Sequence, residues 1–251
     1  MKTMKATVVC AVLLLAGMIP ASATDVYPDS VLCEAYGTVQ YKGKAPSIVD
    51  FVTCLQDPEE HPEFFGDFYD AWQRHLRGRS PGPHERLTVD RRHGYVFYEC
   101  RYPDDEHDER GCMEYCFWNC ADGKHKIVAQ SVYFLYDGEA SPGQYDGVQF
   151  FLYDNDTHVM KHLLPEGLGI DLSWGVTWDY NDDNTVILYD LDASQPRLMS
   201  RADFDQWLVK RPYAVYRLPR QGKDIAVTIY TAGRQEQRRL VWDGWKFAVA
   251  R

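Results

Sequence analysis

The stretch from Cys112 to His162 constrains this chain more than any other. Its β-formers are interrupted by Asp122-Gly123, Asp137-Gly138, Ser141-Pro142-Gly143 and Asp154-Asn155-Asp156-Thr157, so it reads as antiparallel strands joined by short polar turns. Asp122-Gly123 is a two-residue hairpin signal of type I′, in which glycine accepts a positive φ. Centring the hairpin there opposes Cys120 to His125, Trp118 to Ile127 and Cys116 to Ala129. One face then carries Cys112, Cys116, Trp118, Cys120, Ile127, Ala129, Tyr133 and Leu135. The other carries Met113, Tyr115, Phe117, Val128, Val132, Phe134 and Tyr136. Both faces are largely apolar, which predicts a central hairpin covered on both sides.

The hairpin is flanked by segments of different period. From Arg86 onward the pattern alternates, and Tyr95–Tyr102 is a strand rich in β-formers. The acids and His107 in the loop 103–111 fit no EF-hand or zincin spacing, so that loop reads as a solvated hairpin tip. Upstream, Ser47 with Asp50 three residues on marks a helix start. Pro62 opens a second helix at its first turn. Phe64, Phe65, Phe68, Tyr69, Trp72 and Leu76 fall on one face of that helix, and Gly78 ends it. The expected fold is α+β and mostly antiparallel β: N-terminal helices followed by meander sheets, in a sandwich or propeller-like array. The expected segments are a signal peptide (1–23), a helical part (24–83), a β-meander (84–163) and a C-terminal β-rich part (164–251) that can belong to the same domain.

The first segment has a basic start at Lys2 and Lys5, an apolar run from Val8 to Ile19, and Ala21-Ser22-Ala23 as a cleavage pattern. The run is too short to span a bilayer. The mature protein is therefore expected to begin at Thr24 and to be secreted or periplasmic, without a membrane span. Losing Lys2 and Lys5 takes the net charge from −10 to −12, which argues against nucleic acid as a partner. The charge is uneven. Residues 201–251 carry eleven Lys/Arg and five Asp/Glu, a net of +6, leaving −18 on residues 24–200.

Six cysteines remain after processing: Cys33, Cys54, Cys100, Cys112, Cys116 and Cys120. Export permits disulfides. Residues four apart in a strand are separated by about 13 Å, whereas disulfide Cα atoms lie within about 7 Å. Cys112, Cys116 and Cys120 therefore cannot bridge one another. A bridge from Cys100 to Cys112 or Cys116 across the hairpin is expected, or one from Cys33 to Cys54. The spacing suits neither a zinc site nor a C-x-x-C redox site.

In the C-terminal part, Trp174, Trp178 and Tyr180 alternate along a strand, next to Asp182 and Asp183. Such a row could stack on a sugar, or it could be core. Ser200 with Asp203 marks a short helix, and strands separated by Gln221-Gly222, Gly233 and Asp243-Gly244 follow.

The runs Glu114–Ala129, Gly143–Gly147 and Phe151–Asn155, with the closing Leu218–Ile225 and Leu240–Phe247, resemble uncharacterised secreted proteins of gut Bacteroidales. The resemblance covers much of the mature chain. It implies export and a bacterial envelope location, and no activity, cofactor or site residue.

No G-x-S-x-G, H-E-x-x-H, P-loop or G-x-G-x-x-G occurs. No cofactor, metal site or catalytic residue is implied. The leading expectation is a secreted, non-catalytic protein that binds an extracellular glycan or a protein partner, with Trp174, Trp178, Tyr180, Asp182 and Asp183 as candidate ligand contacts. The alternatives are a hydrolase of polysaccharide or peptide using Asp/Glu, and a small-ligand binder under the N-terminal helices.

Overall fold

The structure, a computed structural model, describes residues 26–56, 63–103, 107–142, 147–170, 176–181, 183–190, 197–231 and 234–250. In chain order its elements are β1 (Leu32–Thr38), α1 (Ile48–Cys54), α2 (Glu63–Leu76), β2 (Glu85–Asp90), β3 (Tyr95–Pro103), β4 (Asp108–Asn119), β5 (His125–Tyr136), β6 (Glu139–Ser141), β7 (Gly147–Asp154) and β8 (Val159–Leu163). There follow β9 (Val176–Tyr180), β10 (Thr185–Asp190), β11 (Arg197–Ser200), α3 (Arg201–Lys210), β12 (Tyr213–Arg217), β13 (Ile225–Thr231), β14 (Arg234–Trp242) and β15 (Phe247–Val249). The fold is α+β and mostly antiparallel. The main sheet runs β1-β8-β7-β5-β4-β3-β2, with β6 added to β5; β11-β10-β9 and β12-β13-β14-β15 form two smaller sheets.

The helices start and stop for local reasons. The Ser47 N–H donates to the Asp50 carboxylate at 2.7 Å, closing the capping box of α1. At the end of α2, Arg79 N–H donates to Arg74 C=O and Gly78 N–H to His75 C=O. That is a Schellman ending, with Gly78 at φ +69°. α1 and α2 bury Phe51, Val52, Phe68 and Trp72 against Tyr98, Tyr115, Phe151 and Tyr153 of the main sheet. The layer is packed ring against ring: Phe51 to Tyr153 at 5.0 Å, Phe68 to Tyr98 at 5.1 Å and Phe68 to Tyr115 at 5.4 Å.

The opposite face of the main sheet carries the β12–β15 sheet. Trp118, Ile127, Phe150 and Leu163 meet Tyr216, Ile225, Val227, Leu240, Trp242 and Phe247 in one core, with Tyr27 inserted. The arrangement is thus a sandwich. The β4–β5 ladder has the expected register, with Trp118 opposite Ile127 and Cys116 opposite Ala129, and both of its faces are covered.

Two expectations are corrected. The Asp122-Gly123 turn is not type I′, because only Gly123 takes a positive φ (+68°). Gly123 N–H donates to Cys120 C=O, Ala121 N–H to Gly244 C=O, and the Asp122 carboxylate accepts from the N–H groups of Lys124 and His125. These bonds build a four-residue loop with one left-handed glycine, on the same strand register. The disulfides are also absent: Cys33, Cys54, Cys100, Cys112, Cys116 and Cys120 are all free thiols. Cys100 pairs in register with Gly111, so it faces the helices, whereas Cys112 pairs with Glu99 and Cys116 with Tyr95 on the opposite face. A one-residue offset therefore puts the sheet between the sulfurs of Cys100 and Cys112, and Cys116 is further displaced along the strand. Cys33 is exposed on the edge strand β1, while Cys54 sits on α1 against Gly37.

Candidate functional site

Only two polar or charged residues are buried among the described core positions, Glu114 and Ser131, and both seat β12 on the main sheet. Ser131 Oγ donates to Tyr216 C=O at 2.6 Å. Glu114 accepts from Tyr133 Oη at 2.9 Å, from Arg217 Nε at 2.8 Å and from Leu218 N–H at 2.5 Å. Tyr213 Oη adds a bond to Ala140 C=O at 2.6 Å. Burying a carboxylate is costly unless it is paired and hydrogen-bonded, and here both its oxygens are engaged. Burial pushes the Glu114 carboxyl above its ordinary value, and Arg217, Tyr133 and the Leu218 N–H pull it back only in part. Burial pushes the neighbouring Cys112 thiol up to about 12, so it stays protonated.

Arg217 carries this junction to the surface. Its side chain is 48% exposed while Glu114 is at 1%. Its guanidinium lies 4.6 Å from the centre of the Tyr133 ring, and Tyr213 stacks on Tyr230 at 4.7 Å beside it. Cross-strand register places further side chains on the same face of the sheet. One row is Arg86, Glu99, Cys112 and Tyr133; the next is Thr88, Phe97, Glu114 and Ser131; Arg101 and Arg110 pair in the row beyond Glu99. Glu99 is shared by Arg101 at 3.9 Å and Arg110 at 3.7 Å. Arg86 is exposed, with its guanidinium 5.6 Å from the Phe97 ring centre. At the far end Arg220 and His93 share Asp90 at 2.8 and 2.9 Å, and those two hydrogen bonds hold its carboxyl well below the usual range. The strip beside β12 is thus an arginine-rich sheet face with aromatic rings, fixed from behind by a buried carboxylate.

The residues expected to bind ligand lie elsewhere, around β9. Trp174 and Asp182 fall outside the described residues, and Trp178 pairs with Leu188 in the β9–β10 ladder. Tyr180 is 46% exposed, with the Arg201 guanidinium 3.9 Å from its ring centre and Phe204 edge-on at 5.9 Å. The Asp183 carboxylate accepts from the N–H and hydroxyl of Thr185, which fixes the β9–β10 turn. The described members of that set, Tyr180 and Asp183, are therefore each held by a local partner.

Glu114 and Arg217 were missed by sequence reasoning. A signal for Glu114 existed: it is the one charged residue in the run Cys112–Trp118, on a strand read as covered on both faces. Nothing local marks Arg217, which meets it from 103 residues away in the chain. Among the described residues no group of His, Cys, Asp and Glu could hold a metal ion, and no helix is long and apolar enough to cross a membrane. Compared with known proteins, the chain matches no family profile, no curated protein and no solved structure at a significant level.

Proposed function

We propose that this is an exported, non-catalytic binding protein whose extracellular partner, a glycan or a protein, lies along the strip beside β12. The observation that carries this reading is Arg217. Its Nε is bonded to buried Glu114 and its plane is set over Tyr133, while half of the side chain remains in solvent. A guanidinium held this way has lost its rotamer freedom before any ligand arrives, which lowers the cost of binding. The chemistry of Glu114 also favours this reading over hydrolysis, because Arg217 and the Leu218 N–H fasten β12 to it and, with Tyr133, occupy both its oxygens.

A glycan and peptide binding screen on the mature chain, with turnover measured alongside, tests the reading. Binding without turnover, weakened in an Arg217→Lys variant that stays folded at the assay temperature, is the expected result. Turnover abolished by Glu114→Gln in a folded protein would instead make the strip a hydrolase site. Binding that depends on Tyr180 and not on Arg217 would move the site to β9. Export is read at the same time: N-terminal sequencing of the processed protein is expected to begin at Thr24.

A further inference from the structure

Resting on that reading, we propose that the ligand of the strip is a carboxylate-bearing polysaccharide, one with uronic acid residues. Three features select this class. The first is charge. Residues 24–200 carry a net −18, yet Arg86, Arg101 and Arg110 converge on one face of β2–β4, and Arg217 joins them from β12. Three carboxylates offset part of this charge, Glu99 between Arg101 and Arg110, Asp108 on Arg110 and Glu114 on Arg217, so the surplus centres on Arg86. Arg86 has no carboxylate partner among the described residues, and the side chains of Arg101 and Arg217 are about half exposed. Guanidinium forks match carboxylates in a planar, two-pronged geometry.

The second feature is the place of the strip in the sheet. A peptide strand binds by adding to a sheet edge, through backbone hydrogen bonds. The strip runs over the face of β3 and β4, which have neighbours on both sides, and the edge strands β2 and β12 lie only at its borders. Recognition there falls to side chains, which suits a ligand that brings its own carboxylates and hydroxyls. The third is the ring of Phe97, partly buried in the Glu114 row, with the Arg86 guanidinium 5.6 Å from its centre. It offers an apolar platform for the C–H face of a sugar, flanked by cations for its carboxylates.

The test compares the full mature chain binding to an oligogalacturonate, to a neutral galactose oligomer of the same length and to a poly-glutamate peptide. Arg86→Ala is the first variant, because Arg86 is exposed on an edge strand and its loss leaves the core intact. Arg101→Ala is the second. The proposal predicts that the oligogalacturonate binds and that the neutral oligomer binds at least tenfold more weakly. Each variant should lose about tenfold in affinity, and added salt should weaken binding. Equal binding of the neutral oligomer, or unchanged affinity in both variants, overturns the acidic class while leaving the binding reading standing. Binding of poly-glutamate alone overturns the carbohydrate in favour of a protein partner. A broad screen that yields no ligand of any kind overturns the binding reading itself.

Discussion

Glu114 draws donors from two chain segments far apart in sequence: Tyr133 of β5, and Arg217 and Leu218 at the end of β12. Replacing it with alanine leaves a buried phenol and a backbone N–H without an acceptor. We expect Glu114→Ala to cost about 3 kcal/mol in urea unfolding, at the low end for a broken buried pair because Arg217 keeps half its surface in water. The pH dependence follows from the direction of its shift. Burial raises the folded pKa above the ordinary glutamate value of 4.5. The folded protein therefore holds this proton more tightly than the unfolded chain does. The stability from that proton is fully present below the unfolded value and is lost as pH rises through the folded one. Wild type should therefore exceed Glu114→Gln in stability most at acidic pH, with the gap shrinking as pH rises. The thiols give a second residue-level expectation. Cys33 is exposed, Cys54 is half-buried and the other four are buried. Burial also raises Cys54, Cys100, Cys112, Cys116 and Cys120 against deprotonation. Iodoacetamide labelling of the native protein should modify Cys33 first among these six, and all six should react in denaturant without prior reduction. A mass shift on reduction would contradict this.

The elements that were legible in sequence are those whose causes are local. The capping box at Ser47, the Ser200 cap of α3, whose hydroxyl accepts from Asp203 N–H at 3.1 Å, and the β4–β5 register all rest on residues a few positions apart. Ser200→Ala should accordingly lower stability by about 1 kcal/mol. The β2–β3 turn is more tightly specified. Gly94 sits at φ +64°, and a Cβ there would lie 2.5 Å from the Phe117 ring. Gly94→Ala should cost about 2 kcal/mol in the same unfolding assay, from backbone strain and the ring clash together. What was not legible depended on parity or distance. The expected Cys100–Cys112 bridge failed on a single-residue offset, and the Cys100–Cys116 bridge because Cys116 lies opposite Tyr95, well along the strand from Cys100. The alternation Trp174, Trp178 and Tyr180 identifies a face without saying what meets it. The strip beside β12 could not be assembled from local pattern, because its members come from β2, β3, β4 and a strand about a hundred residues further on.

Across the whole molecule, the central sheet is clamped between two helices and a four-stranded sheet, and the two interfaces differ in kind. The helical side is an aromatic-rich core with polar links at its margins, Tyr102 to Asp67 and Arg74 to Glu85, and none to a buried charge among the described residues. The other side adds polar fastenings to an apolar core, at Glu114, Ser131 and Tyr213, plus the Arg220–Asp90 pair. The basic C-terminal segment and the acidic body are joined through those ion pairs, which accounts for part of the charge asymmetry. On the strip, Arg86 has no carboxylate partner among the described residues, and Arg101 and Arg217 keep about half of their side chains exposed. Hydrogen exchange of the protein with and without oligogalacturonate tests this account most directly. It predicts protection confined to the backbone around Arg86, Phe97–Arg101, Arg110 and β12, with α1, α2 and β9 unchanged. Protection centred on β9 and Tyr180, or on the helical face, with the strip unaltered, would contradict it.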